Sequence, residues 1–207
     1  MVSSNKLHVV IAKYKEDTAW TSNLTHPFTI YNKNEAENHL FEHNLPNVGT
    51  EGHTFLHHIT NHYNNLPDFL VLVQGSPFDH CIEAGIDFLK TINNFDFSKT
   101  FLPLGRCYFR DPTSTTPELD QMTGTYNFAK QYGIEHSVPI KFISSAQCLV
   151  SKDLILQKPQ SFYQKLLDIF QINRQGSIIG YYLEYLMPTI LGFADQLITI
   201  NKYGDEK

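Results

Sequence analysis

Hydrophobic positions fall in short runs separated by polar stretches. Five of them, Phe69 to Val73, stand without a break, and the run closes on Gln74, Gly75, Ser76, Pro77, Phe78, Asp79 and His80. An unbroken apolar run of this length predicts a strand covered on both faces, as in a parallel sheet between helices. "HVVIA" (8–12) and "FTIY" (28–31) predict two more strands, which end in the polar stretches "KYKED" and "NKNEAEN". "KTFLPLG" (99–105) and "IKFISSAQCLV" (140–150) are further strand candidates. Helical spacing takes over in 50–65, where Phe55, Leu56, Ile59 and Tyr63 share a face and Thr50 is a candidate N-cap. A second helix is predicted from about Pro159 to Phe170, with the proline suited to its first turn and Phe162, Leu166, Ile169 and Phe170 as its stripe. A third, 178–193, is apolar nearly all round; it should be buried and kinked near Pro188. The stretch 106–138 is polar, turn-rich and weakly periodic, and reads as a long functional loop. Strands alternating with helices predict one α/β domain over 1–207, three-layered, with a mostly parallel central sheet.

Composition narrows the partners. The chain has 207 residues, 42% hydrophobic and 18% charged, with a formal net charge of -5. That is enough chain for a sizeable core. A mildly acidic balance gives no general attraction to nucleic acid or an anionic membrane, and no basic stripe with interleaved aromatics appears. No run reaches the roughly 20 apolar residues of a membrane span. The run Leu7 to Ala12 is too short for a signal-peptide core. Cys81, Cys107 and Cys148 are odd in number and scattered, which speaks against a disulfide framework and for a reducing, cytoplasmic setting.

Candidate chemistry gathers where strands end, since open α/β sheets bind ligands beyond the carboxyl ends of their strands. "HVVIA" is followed by Lys13, Tyr14, Lys15, Glu16 and Asp17, and "FTIY" by Asn32, Lys33 and Asn34. If these strands are parallel neighbours, their ends and Asp79-His80 line one crevice. There lysines would meet phosphate, and Asp79 with His80 would hold a divalent metal or a sugar hydroxyl. Gly-Ser-Pro is also ordinary turn chemistry, so the Asp79 stretch reads equally as a turn. Nine of the ten histidines lie in 1–80. His53/His57 and His58/His62 are i, i+4 pairs on the first helix, a spacing that can bind zinc, but "HTFLH" lacks the glutamate of a zinc-protease helix. The plainer reading is a solvated helix rich in His and Asn. Glu51, Gly52 and His53 open that helix, where free N–H groups favour a phosphate or a sugar. Glu184 is the only charged residue between Ile178 and Phe193. It either pairs internally, with an arginine such as Arg106 or Arg110, or serves as a general base in a cleft. No G-x-x-x-x-G-K-[ST], G-x-G-x-x-G or G-x-S-x-G occurs, and Ser76 lacks the second glycine of a serine elbow.

The segments "VVIAKYKEDTAW", "IYNKN", "LPNVGTEGHTFLHHITNHYNNLPD", "FLVLVQGSPFDH", "SSAQCLVSKDLILQKPQSFYQKLL" and "YYLEYLMPTILG" together resemble, in order and spacing, a family of small proteins from fungi, bacteria and large viruses. That family looks like a compact GT-A glycosyltransferase fold and is similar to the glycosyltransferase domain of a large chlorella-virus protein. The resemblance implies transfer of a sugar from a nucleotide-sugar donor, often a UDP-sugar, to a glycan or other hydroxyl acceptor, commonly with Mn2+ or Mg2+. It places the loop of Lys13, Tyr14 and Glu16 at the nucleotide, Asp79 at the metal, and Ser145, Gln147 and Glu184 at the acceptor. The strand ends and the start of the first helix add Lys33, Glu51, His53 and Gln74 on the donor side and His80 beside the metal, with Glu184 (as base) and Asp79 the candidate catalytic residues. The chain departs from the family pattern in several places. It has no D-x-D, the corresponding place reading Ser76-Pro77-Phe78-Asp79-His80; Lys13 replaces the usual arginine, Lys15 an asparagine, Tyr185 an arginine and Met187 a tryptophan. A lysine meets phosphate as a point charge rather than a fork. These departures leave two other readings open: a nucleotide-sugar or carbohydrate-binding module without catalysis, and a metal-dependent hydrolase built on the histidine-rich helix.

Overall fold

In chain order the elements are β1 (Leu7–Lys13), β2 (Phe28–Asn32), β3 (His43–Asn44), α1 (Thr50–His62), β4 (Phe69–Gln74), α2 (Phe78–Glu83), α3 (Phe88–Asn93), β5 (Phe101–Pro103), β6 (Cys107–Arg110), α4 (Leu119–Tyr132), β7 (Ile140–Ile143), β8 (Cys148–Ser151), α5 (Lys152–Ile155), α6 (Gln160–Ile172), α7 (Ser177–Ile190) and β9 (Ile200–Asn201). They come from a computed structural model that describes residues 6–110, 119–172, 177–198 and 200–201. Six strands form one sheet in the order β3-β2-β1-β4-β8-β5, and three form a second in the order β7-β6-β9. β1 pairs in parallel with β2 and β4, and β2 with β3; β8 runs antiparallel to both β4 and β5. The architecture is thus mixed α/β, with a mostly parallel six-stranded sheet flanked by helices.

The unbroken apolar runs follow from burial on both faces. Side chains alternate across a strand, and here each face has its own core. Val10, Ala12, Leu70, Leu72, Cys148 and Val150 pack with Phe55, Leu56 and Ile59 of α1, Leu166 and Phe170 of α6, and Leu183 and Leu186 of α7. Leu7, Val9, Ile11, Val71, Val73 and Leu149 pack on the opposite face with Cys81, Phe88, Ile92 and Phe95. At about 1.5–3 kcal/mol for each buried aliphatic or aromatic side chain, β1 and β4 are the most strongly anchored strands. Their shared register, Val9 opposite Val71 and Ala12 opposite Gln74, is fixed accordingly, since a slip of one residue would exchange the two faces.

Three expectations need correction. The 140–150 run is not one strand but two, β7 and β8, divided by a turn at Ser144–Ala146. Ser145 (φ 60) and Ala146 (φ 53) take left-handed backbone there, although no glycine or proline marks the break. The 106–138 stretch contains β6 and the 14-residue α4, residues 111–118 lying outside the described part. The N-cap of α1 is Gly49 (φ 60) rather than Thr50, and a Cβ on Gly49 would come within 2.2 Å of the Phe170 ring. Pro188 falls in the last turn of α7, two residues before its end at Ile190.

Candidate functional site

The strand order reverses between β1 and β4: the chain proceeds outward through β2 and β3, then returns to the other side of β1. Such a switch point leaves a crevice beyond the carboxyl ends of the two central strands. Here that crevice is a cavity of about 230 Å³ lined by Ala12, Lys13, Tyr14, Glu16, Lys33, Asn47, Thr50, Glu51 and Gln74. Six of the seven donor-side residues expected from the sequence meet in it. The seventh, His53, lines a neighbouring cavity of about 670 Å³ with Glu35, Pro46, Asn47, Val48, Phe170 and Gln171. Asn47 borders both cavities. Asn47 did not stand out in the sequence and Thr50 did so only as a candidate N-cap; their position just ahead of, and at the first residue of, α1 was the available signal.

Both lysines are committed inside the protein. The Lys13 ammonium pairs with the Glu37 carboxylate, lies 4.8 Å from the Phe41 ring centroid and donates to the Tyr14 carbonyl at 3.3 Å. That pairing holds the Glu37 carboxyl below its ordinary range. Lys33, 4% exposed, donates to the carbonyls of Val48 (2.6 Å) and Thr50. Burial lowers its pKa to about 8, against the opposing pull of Glu51. Lys33 therefore ties the end of β2 to the entry of α1.

Glu16 shapes the loop after β1. Its Oε2 accepts the N–H groups of Tyr14 (2.6 Å) and Lys15 (3.1 Å), and it rests on Gly75, where a Cβ would come 2.7 Å from that oxygen. Trp20 Nε1 donates to the Gly75 carbonyl at 2.8 Å, so the ends of β1 and β4 are laced together.

Glu51 is the cavity's buried acid. It is 8% exposed, and Gln74 Nε2 donates to its Oε2 at 3.3 Å. Burial first, then the nearby Glu184 carboxyl, raises its pKa to about 7. Glu184, on α7, accepts the Ser145 N–H at 2.8 Å, and burial raises its pKa. That hydrogen bond holds the left-handed turn between β7 and β8, a conformation that persists only where its surroundings fix it. No ion pair joins Glu184 to Arg106, whose Nε donates to the Glu83 carbonyl at 2.5 Å; the Arg110 side chain lies outside the described part. Gln147, fully buried, accepts from Gln74 N (3.1 Å) and donates to the Pro77 carbonyl (3.3 Å), bracing the exit of β4.

Asp79 and His80 open α2, immediately beyond that brace. Asp79 is exposed, and neither residue borders the 230 Å³ cavity. His80 Nδ1 lies 3.1 Å from Ser144 Oγ and 3.9 Å from Glu83 Oε2.

The histidines of α1 are less solvated than its composition suggests. His53 and His58 are 6% and 4% exposed. His58 hydrogen-bonds Tyr31 Oη at 3.0 Å, stacks on His8 and packs against His62; burial lowers the pKa of His53 and of His58 to about 3. His53 Nδ1 is buried without a hydrogen-bond partner among the described residues. Among the described residues no group of three or more His, Cys, Asp or Glu side chains gathers to hold a metal ion.

Residues 9–101 match a family described as "Protein of unknown function (DUF3431)". The matched segment contains all nine cavity residues and Asp79-His80, and stops before Ser145, Gln147 and Glu184. No curated protein and no solved structure matches the chain. No helix among the described residues is long and apolar enough to cross a membrane.

Proposed function

We propose that the chain is a GT-A-like glycosyltransferase that takes a nucleotide-sugar donor, a UDP-sugar in the first instance, into the cavity between the ends of β1 and β4. One observation carries this reading: Lys13, Tyr14, Glu16, Lys33, Glu51 and Gln74, drawn from four separate elements and their loops, converge at the switch point of a mostly parallel sheet. A hydroxyl acceptor attacks the anomeric carbon, its oxygen forming the new bond as the bond to the diphosphate breaks. Glu184 is the candidate base for the acceptor proton, because a carboxylate with a raised pKa is a better proton acceptor near neutrality. Ser145 holds that carboxylate by its backbone N–H. Lys33 and the N–H groups at the start of α1 provide positive potential for the leaving diphosphate.

The donor set fits a divalent cation in a limited way. Mg2+ in nucleotide sites takes one or two carboxylates and completes its shell with phosphate oxygens and water. Asp79, with His80 beside it, stands outside the cavity lining and would supply the protein's share only to a phosphate that extends past the end of β4, where the ion would neutralise charge on the leaving group. The test is calorimetry with UDP-sugars and Mn2+ on wild type and Asp79→Ala. Metal-dependent binding lost in the variant supports the assignment, while equal tight binding by both removes Asp79 from the metal.

A second reading, donor binding without transfer, is favoured by the internal engagement of Lys13 with Glu37 and of Glu184 with Ser145. Saturable binding of a UDP-sugar with neither hydrolysis nor transfer to a panel of glycan acceptors would select it.

A further inference from the structure

Four ionisable side chains line the 230 Å³ cavity besides Tyr14, and three have their charge met or their donors used. Lys13 is neutralised by Glu37, Glu16 is capped by two backbone N–H groups, and Lys33 spends two donors on carbonyls. Glu51 differs. Its hydrogen bond from another side chain comes from a neutral amide, Gln74, and a second carboxyl, Glu184, faces it from α7. The groups around it are Lys33 from the end of β2, Glu184 from α7, and Lys13, Tyr14 and Glu16 from the end of β1; β4 supplies only neutral Gln74. An ionised carboxylate here would have only neutral donors, the Gln74 amide and a backbone N–H, and would repel a diphosphate. A protonated one has an O–H to give.

We propose that Glu51 receives the donor as a neutral acid, giving a hydrogen bond to a phosphate oxygen, so that anion capture in this cavity takes up a proton from solvent. The inference rests on the reading of the cavity as a donor site and specifies how the cavity tolerates a polyanion. The proton is available because burial and Glu184 bring the Glu51 carboxyl to about 7, while Lys33, at about 8, stays charged at neutrality. Affinity is then greatest below neutrality and falls as pH rises through the Glu51 titration, by about tenfold per pH unit where one proton is linked to binding. Glu51 acts here as a specificity group: it favours ligands that accept a hydrogen bond at this point.

The experiment is calorimetry of UDP binding in two buffers of different ionisation enthalpy at about pH 7.5, where the phosphates are ionised. Wild type is expected to take up about three-quarters of a proton per UDP bound, the share of Glu51 that is ionised at that pH with a midpoint of about 7. Glu51→Gln, which carries a permanent donor, is expected to bind with most of that uptake lost and with affinity nearly level from about pH 6 to about pH 8. Carbon-13 NMR of the free protein reads the Glu51 carboxyl directly, and a midpoint near neutrality is expected. UDP binding to wild type without proton uptake, the same uptake in Glu51→Gln, or an ordinary carboxylate midpoint each overturns the proposal while leaving the donor site standing. Absence of binding by both UDP and pyrophosphate overturns the donor reading and this proposal together.

Discussion

Replacing Glu51 with glutamine should stabilise the fold, and increasingly so as pH rises. The side chain is 8% exposed, and its carboxyl is raised from 4.5 to about 7. In an acid with a raised folded-state pKa the neutral form is the one the fold favours. Its contribution is therefore intact below the unfolded value of 4.5 and is lost progressively as pH climbs to about 7. At about 1.36 kcal/mol per pKa unit, burying the ionised form costs under about 1 kcal/mol at about pH 5 and about 3 kcal/mol at about pH 8. Glutamine keeps the shape and an acceptor for Gln74 Nε2, and removes the titration. Urea unfolding of wild type and Glu51→Gln at the two pH values measures the difference. An advantage for the variant that grows by about 2–3 kcal/mol between them is expected. A pH-independent difference, or a wild type that gains on the variant as pH rises, would refute the reasoning; the latter would mean that attraction to Lys33 outweighs desolvation. A functional carboxylate that costs stability is the kind of local conflict that binding sites retain.

Other outcomes follow from the same geometry. His53 and His58 are neutral in the fold, with pKa values lowered from 6.5 to about 3, so their contribution is complete above 6.5 and is lost as pH falls toward 3. In the Glu51→Gln background, where one of the two opposing carboxyl titrations is gone and Glu184 remains, each should cost about 2 kcal/mol of unfolding free energy at about pH 5, read by urea unfolding across pH. Gln147→Ala leaves the Gln74 N–H and the Pro77 carbonyl without their buried partner and opens a void. A loss of about 2–4 kcal/mol is expected by the same assay. Gly49→Ala forces a Cβ into the Phe170 ring at positive φ, and should lower stability by about 2–5 kcal/mol, seen as a fall in Tm.

The central sheet could be read from the sequence because β1 and β4 are buried on both faces, so their apolar runs are continuous and need no partner to be recognised. The turn at Ser144–Ala146 was hidden for the opposite reason. Its left-handed residues are Ser145 and Ala146, and what fixes them is a carboxylate 39 positions away, Glu184. Helix α4 was missed because its polar "DQMTGTYNFAKQY" carries only a weak stripe, its burial being supplied by packing against α7. At the site, strand ends predicted which residues converge, since parallel strands deliver their carboxyl termini to one edge. Strand ends do not predict partners. Lys13 finds Glu37 across 24 residues, Lys33 finds two carbonyls, and Glu51 meets Glu184 from the far end of the chain. The buried state of His53 and His58 was equally hidden, because histidine suits both a solvated helix and a neutral core.

The claim on which the account turns is that a nucleotide sugar enters between the ends of β1 and β4. An amide NMR titration of the isotopically labelled chain with a series of UDP-sugars, with and without Mn2+, tests it directly. Saturable shifts concentrated at residues 13–16, 33, 47–51 and 74–75 are the expected result. Saturation with none of these amides moving, or with shifts confined to other surfaces, would contradict it.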